Sequence, residues 1–398
     1  MLARTLTMMR LRYFQILIIT SCSVSSGIKN SSSSRPYDFE STTLHVKAVS
    51  QLKVEGTFTY IQLDRSELLY TRENPNSKFI SKIQFNYLDV KTEIVDTLKS
   101  DSPRELNIVL ESILDSEPFN LEVVDLNRKT SNQIHLRPNG YLVWDHENDW
   151  AVYGSSLSVG AKIEIRRDDN EEWYVRTVDP KPFLPDPPFT GGRNKYANLT
   201  DTLTGKIQGS RKQSNIWTIQ EGAQRFSSSI DEDEFVLYGR SNEFPKMINV
   251  YDLIEATRYI ATISEYKALT SADHPKQALD DFWMKCGDTP EKSKELIKIY
   301  YGRVEEANRY FSGLLEGWRT DRGMIHIVMG PPNRVNRDNW GEYWVYGDEA
   351  SNNNITFRFK RRSHLIDNNI YILERNSLYR MTWESFVTSW RNGRVYRD

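Results

Sequence analysis

The hydrophobic period of this 398-residue chain changes along its length, and that change limits what it can fold into. Over residues 43–137 apolar and polar residues alternate, in TLHVKAV, GTFTYIQL, KFISKIQFNYL, LNIVLESIL and FNLEVVDL, broken by the turn clusters RENPNSK and SDSPREL. Period two sends alternate side chains into a core and into water, so these segments read as strands of a β-sandwich-like domain over 37–138. LNIVLESIL reads equally as a short helix. A second β-rich domain is expected over 139–250, with YLVWDH, WAVYG, AKIEIRR and EEWYVRTV before a proline-rich segment and IWTIQ, FVLYGR and MINVY after it. That segment, DPKPFLPDPPFTGGRNKYANLTDTLTGK, holds five prolines and a glycine pair, which predict a long loop, either a connector or a binding loop.

After Asp252 the period becomes helical. Leu253, Ile254, Thr257, Ile260, Ala261 and Ser264 share one helix face, and ALDDFWMKC forms a second short helix. A third is capped by Thr289 with Pro290 at its first position. Its apolar stripe runs through Leu296, Ile297, Tyr300, Val304, Ala307, Phe311 and Leu314 to a C-cap at Gly317. MIHIVMG, at 324–330, reads as a compact strand. EYWVYG, ITFRFKRR and NIYILERN follow as strands, and a terminal helix is expected to turn Met381, Phe386 and Trp390 inward. The fold class is therefore α+β and mainly β: one or two N-terminal β-sandwich-like domains, a helical connector and a small α+β C-terminal domain, the last two within 251–398.

The N-terminus reads as an export signal. Arg4, Arg10 and Arg12 precede the apolar YFQILIIT at 13–20, with Met8 or Met9 as alternative starts. Eight residues rise only about 12 Å in a helix, against a hydrocarbon core of roughly 30 Å, so this segment is too short to span. Ile19-Thr20-Ser21-Cys22 resembles a bacterial lipobox, in which residues 1–21 are removed and the Cys22 thiol is lipidated; an ordinary signal peptide with an incidental cysteine is the alternative. The Ser-rich stretch over 22–36 suits a flexible tether. Surface-sent lipoproteins of the Bacteroidetes carry acids soon after the cysteine, whereas the first acid here is Asp38. That favours an outer-membrane anchor facing the periplasm.

Composition excludes several classes of function. The 52 basic and 54 acidic residues are mixed along the chain and leave a formal charge of −2, so no broad field invites nucleic acid. With only Cys22 and Cys286, and Cys22 committed to lipid, no intramolecular disulfide is expected. Cys286 reads as a packing residue, with a reactive thiol as the alternative. The six histidines, His45, His135, His146, His274, His326 and His364, are scattered, and HExxH, GxSxG, Gly-Lys-Ser/Thr and dinucleotide patterns are missing. No metal, nucleotide or other cofactor is expected. RDDNEE at 167–172 and DEDEF at 231–235 lack the spacing of a calcium loop and read as solvated turns. His326 reads as a residue on the less buried face of its strand.

One motif stands apart from composition. Gly317-Trp318-Arg319-Thr320-Asp321-Arg322-Gly323, with Phe282-Trp283, Asp288-Thr289-Pro290, Tyr301-x-Arg303, Ala307-Asn308 and Phe311 before it and Gly330-Pro331-Pro332 and Tyr343-x-x-Tyr346 after it, resembles the GWxxTD-domain proteins of Bacteroidetes and related bacteria. The likeness covers roughly 252–371. It implies an export or lipoprotein signal and β-rich N-terminal domains, and it brings no activity to carry over. FRFKRRSHLIDNNIYILE is more basic than the acidic turn the resemblance leads one to expect.

Physically, the motif reads as a corner between helix and strand. Gly317 takes a left-handed conformation, Trp318 fills the space between helix and sheet, Thr320 and Asp321 accept backbone N–H groups, and Gly323 releases the chain into the strand. Arg322 is expected to pair with Asp321, Asp288 or Glu342. The preferred function is a structural or interaction component of the envelope, tied to the membrane by lipid and docked on envelope proteins, such as those of an outer-membrane secretion or assembly complex. Its 21 tyrosines and 10 tryptophans suit such contacts. The alternative is an envelope hydrolase with a carboxylate-based site at Asp321 and Glu342.

Overall fold

The computed structural model describes residues 37, 44–87, 90–112, 117–178, 183–191, 201–209, 215–229, 233–347, 354–364 and 367–395. The segment read as an export signal, Cys22 and the Ser-rich stretch read as a tether lie outside the described residues.

Seven strands form the first β layer pair: β1 (Val46–Lys53), β2 (Gly56–Asp64), β3 (Ile80–Tyr87), β4 (Val90–Thr97), β5 (Glu105–Ser112), β6 (Phe119–Asp125) and β7 (Thr130–Leu136). They make a three-stranded sheet, β1-β2-β5, and a four-stranded sheet, β4-β3-β6-β7, antiparallel throughout. The period-two reading is visible in β3, whose side chains alternate between half-buried and buried along all eight residues. Ile61, Leu63, Ile83, Phe85, Leu121 and Val123 close the core between the sheets. The described residues of LNIVLESIL, 106–112, are strand and not helix: β5 pairs with β2 in an unbroken register from Glu105 to Ser112.

Nine strands follow: β8 (Tyr141–Asp145), β9 (Trp150–Ala151), β10 (Ser156–Ser158), β11 (Lys162–Arg167), β12 (Glu172–Val178), β13 (Thr202–Gln208), β14 (Trp217–Thr218), β15 (Gly222–Ser228) and β16 (Glu234–Arg240). Their sheets run β10-β16-β15-β12-β13 and β14-β11-β8-β9, with Ile163, Ile165, Trp173, Val175, Ile207 and Phe226 between them. The expected long loop is shorter than its prolines suggested. TLTGK belongs to β13, which the β12 ladder accepts because no proline of that segment follows Pro188. Residues 183–191 do not float either: Leu184 and Phe189 pack against the C-terminal core, and Pro188 O accepts the N–H of Asn376 at 3.1 Å. The RDDNEE turn is only partly solvated. Arg167 and Glu171 are buried and paired at 2.9 Å, because the Arg167 guanidinium lies over the buried Trp173 ring.

The C-terminal part is helical first: α1 (Val250–Ala256), α2 (Ile263–Thr270), α3 (Pro275–Gly287), α4 (Pro290–Phe311) and α5 (Asp321–Met329). The single face read from Leu253 to Ser264 is split by a 3-10 turn at Thr257–Tyr259, where the Thr257 hydroxyl returns to Ile254 O and Thr262 starts α2 with a capping box. Thr289 and Pro290 open α4 as the sequence indicates. The helix ends at Phe311, however, where Ser312 turns extended, so Leu314 and Gly317 lie beyond it.

The largest departure is MIHIVMG, which is the body of α5 and not a strand. Every residue from Arg322 to Met329 is buried, and an apolar run covered on all sides has no face-specific period to separate helix from strand. The cap decides it: Thr320 Oγ1 accepts the Gly323 N–H at 3.0 Å, and Asp321 sits in the first turn. After α5 come β17 (Arg334–Arg337), β18 (Gly341–Tyr346), β19 (Ile355–His364), β20 (Asp367–Leu373) and α6 (Tyr379–Arg391), the strands paired in sequence order. On α6 it is Tyr379, Trp383 and Trp390 that turn inward, with Phe386 half-buried; Met381 points to solvent at 84% exposure. Helices and sheet share one aromatic core around Trp283, Tyr300, Phe311, Trp318, Trp344 and Trp390.

Candidate functional site: a buried arginine–glutamate cluster

The motif begins in a 3-10 turn, Gly317–Arg319, wedged between α4 and α5. Gly317 is required by proximity and not by a left-handed backbone. A Cβ there would stand 1.8 Å from Ala307 O, and one on Gly323 would stand 2.0 Å from Gly317 O. Two glycines thus let α4, the turn and the start of α5 touch backbone to backbone. Trp318 is fully buried, with its N–H donated to Asn308 Oδ1 at 3.2 Å and its indole N–H to Glu316 at 3.0 Å. Its carbonyl accepts the Tyr259 hydroxyl at 2.6 Å. Burial of this large ring is worth about 2–3 kcal/mol, and the polar handles are satisfied rather than available.

Asp321 does not pair with Arg322. Its carboxylate takes Arg375 at 2.6 Å and the Leu373 N–H at 2.8 Å, which ties the start of α5 to the end of β20. Arg322 turns the other way, into the core, and is 1% exposed. Of the three carboxylates expected as partners it meets Glu342, at 3.4 Å, and not Asp288. Its second terminal nitrogen donates to Asn369, to O at 2.8 Å and also to Oδ1. The guanidinium lies over the Tyr371 ring at 3.9 Å.

Glu342 has no exposed surface, and its oxygens accept from four directions: Tyr37 at 2.6 Å, Arg337 at 2.6 Å, Arg322 at 3.4 Å and the Trp344 indole at 3.0 Å. Tyr37 is the residue that sequence reasoning placed only as the start of the folded body. Its hydroxyl donates to Glu342 and accepts from Arg322 at 2.6 Å and Arg337 at 3.0 Å. Its ring stands edge-on to Tyr310, Phe311 and Trp344. Burial pushes the Tyr37 hydroxyl well above its ordinary value, against the pull of Arg322, so it stays protonated and donates.

His326, expected on a half-open strand face, is fully buried on α5. Its Nε2 lies 2.7 Å from Glu306, and since a carboxylate only accepts, Nε2 carries the proton. Burial lowers its pKa while Glu306 opposes the shift. Arg303 caps the same helix, donating to Ile327 O at 3.2 Å and Val328 O at 3.4 Å. Cys286 is buried, and burial pushes its thiol up, which fits the packing reading.

Arg337, Asn369, Arg375 and Tyr37 were missed by sequence reasoning. They reach the motif from distant strands and from the N-terminal side, and no local spacing announces them. Tyr37, Asn369 and the partly exposed Arg337 join Arg322 and Glu342 in one polar knot, and Arg375 holds Asp321 beside it. Its groups neutralise, orient and lock one another; a nucleophile or general base would need an open side that Glu342 lacks. Among the described residues no group of three or more His, Cys, Asp or Glu side chains converges to hold a metal ion.

Arg322, Arg337, Glu342, Asn369 and Arg375 lie within a stretch that a family model matches, and Tyr37 lies outside it. Residues 224–392 match the model of the GWxTD domain, whose pattern carries one residue between Trp and Thr, as Trp318-Arg319-Thr320 does here. The match begins within β15, upstream of the boundary expected near 250. No curated protein matches this chain. Among solved structures it is similar to a Salmonella alpha-2-macroglobulin reacted with methylamine, at 10% identity and a TM-score of 0.19, over 52% of this chain and 17% of that one. So slight a likeness carries no argument about fold or activity.

Proposed function

Because residues 224–392 carry a GWxTD domain, we propose that this chain is a lipid-anchored envelope protein in which that domain serves as a structural and interaction module. In this reading the export signal over 1–21 is removed, Cys22 is lipidated, and the β-rich body stands off the outer membrane on the periplasmic side. Its partners are envelope proteins, of the kind that make up an outer-membrane secretion or assembly complex, and neither nucleic acid nor nucleotide is among them.

The observation that carries the reading is the saturation of the motif. Asp321 is held by Arg375 and Leu373, and Glu342 is fully buried by four donors. A carboxylate-based hydrolase would need one of these two carboxylates to meet a substrate and a water. What remains for function is the surface, positioned by a rigid interior.

Two measurements test it. Growth with a clickable palmitate analogue should label the chain in the outer-membrane fraction and leave a Cys22→Ala variant unlabelled; label that survives the substitution counts against the anchor. Affinity capture from detergent-solubilised membranes should bring down envelope proteins in stoichiometric amount. Recovery of the chain alone, at full yield, counts against the docking role.

A further inference from the structure

β19 is a strand rich in basic residues, and its backbone is bonded to the turn that carries an exposed tryptophan. ITFRFKRRSH contains Arg358, Lys360, Arg361 and Arg362 and no carboxylate. All four side chains are exposed, while Phe357 and Phe359 between them are buried. Lys360 is paired with Glu374. Arg358, Arg361 and Arg362 form no ion pair among the described residues.

Beside them the turn from β17 to β18 lifts Trp340 into solvent, 79% exposed. The turn is not slack. Asp338 accepts the N–H groups of Trp340 at 2.7 Å and Gly341 at 2.8 Å, and Trp340 O accepts the Arg361 N–H at 2.7 Å. A large amphipathic ring is therefore presented on fixed backbone bonded to Arg361, the residue before Arg362; Asp338 is engaged by that turn and Glu374 by Lys360. Tryptophan favours the membrane–water interface, and each basic residue near an anionic leaflet strengthens binding roughly fivefold.

The same hairpin receives the N-terminal end of the body. Tyr37 Oη is 3.0 Å from Arg337 Nη2, on β17, just before the Trp340 turn. The sequence from Cys22 to Tyr37 reaches at most about 50 Å when fully extended. An acyl chain on Cys22 would keep the hairpin within that distance of the leaflet, at an effective concentration of order millimolar, where even a weak contact is populated.

We propose that the Trp340 turn and the arginines of β19 form a membrane-surface contact for anionic phospholipid headgroups. This rests on the lipid-anchored reading, and its test is separable from it. The full chain bearing Cys22→Ala, which has no acyl site there, is sedimented with vesicles of phosphatidylcholine alone and with vesicles containing phosphatidylglycerol. It should bind the anionic vesicles more tightly, with binding reduced at high salt. Arg361→Ala with Arg362→Ala should weaken that binding roughly 30-fold, and Trp340→Ser should weaken it several-fold, with melting temperatures unchanged because all three side chains are exposed. Equal binding to neutral and anionic vesicles would assign the contact to the apolar segment at 13–20 and overturn the proposal, as would variants that bind like the parent. A parent chain that takes up no palmitate label, or a Cys22→Ala chain that keeps it, with intact vesicle binding would instead overturn the anchor alone.

Discussion

The Tyr37 hydroxyl donates to Glu342 at 2.6 Å across 305 residues of sequence, and in the same position it accepts from Arg322 and Arg337. One phenol therefore supplies a donor to a carboxylate that has no exposed surface and an acceptor to an arginine that is 1% exposed. A buried ion pair is weak evidence for stability by itself, because desolvation opposes the attraction; its partners must be complete for the balance to favour the fold. Tyr37 completes them.

Tyr37→Phe keeps the ring and removes only the hydroxyl. The full chain should lose about 1–3 kcal/mol, the cost of leaving buried polar groups short of a partner. Denaturant unfolding followed by tryptophan fluorescence measures it. A variant as stable as the parent would mean that water replaces the hydroxyl and that the knot is less dry than described.

Glu342→Leu strands Arg322 in the core and should cost about 3–5 kcal/mol. Arg322→Met together with Glu342→Leu should cost less than the two single substitutions summed, since no lone charge remains on either side of that pair. Strict additivity in the double-mutant cycle would show that the two residues do not sense each other.

Gly317→Ala drives a methyl into Ala307 O, which is backbone and cannot step aside, so a loss of about 3 kcal/mol or failure to fold is expected. Gly302→Ala, in the middle of α4 with nothing within 4 Å, should gain roughly 0.5–1 kcal/mol from helix propensity. Melting temperatures of the pair check the contrast, and a Gly317→Ala protein that melts like the parent would contradict the described approach of α4 to the turn.

His326 predicts an acid limb. Burial holds its folded pKa below the ordinary 6.5. The unfolded chain therefore binds the proton first, and the contribution is complete above about pH 6.5 and lost as pH falls from there through the folded value. The slope from this group is at most ~1.4 kcal/mol per pH unit. His326→Gln, which keeps a donor for Glu306, should flatten that part of a stability profile taken from pH 7.5 downwards; an unchanged acid limb would place the proton uptake elsewhere.

Much of this was legible in the residues. The alternation in β3 and the Thr289–Pro290 start of α4 are local signals, and they give the right elements because each is decided by its own neighbours. MIHIVMG misleads for a physical reason: all of its side chains are covered, so hydropathy carries no period, and the Thr320 cap and Asp321 first turn are the only local cues to helix. The same cause hid His326. Arg322 finding Glu342 was one of three pairings the sequence offered, and choosing among them takes the register of β18 against β17. Tyr37, Asn369 and Arg375 reach the motif only through the tertiary fold, which no spacing rule encodes.

The seat of Tyr37 also bears on how the protein can be cut. A clone spanning the 224–392 match would carry Arg322, Arg337 and Glu342 but not the ring that stands among them. It would omit Phe189 and Asp186 as well, which rest on the C-terminal core and on Arg375. The recognisable stretch is thus smaller than the cooperative one: excised at its own ends, it leaves a ring-sized vacancy facing two guanidinium groups, and a soluble recombinant piece should begin upstream of residue 37.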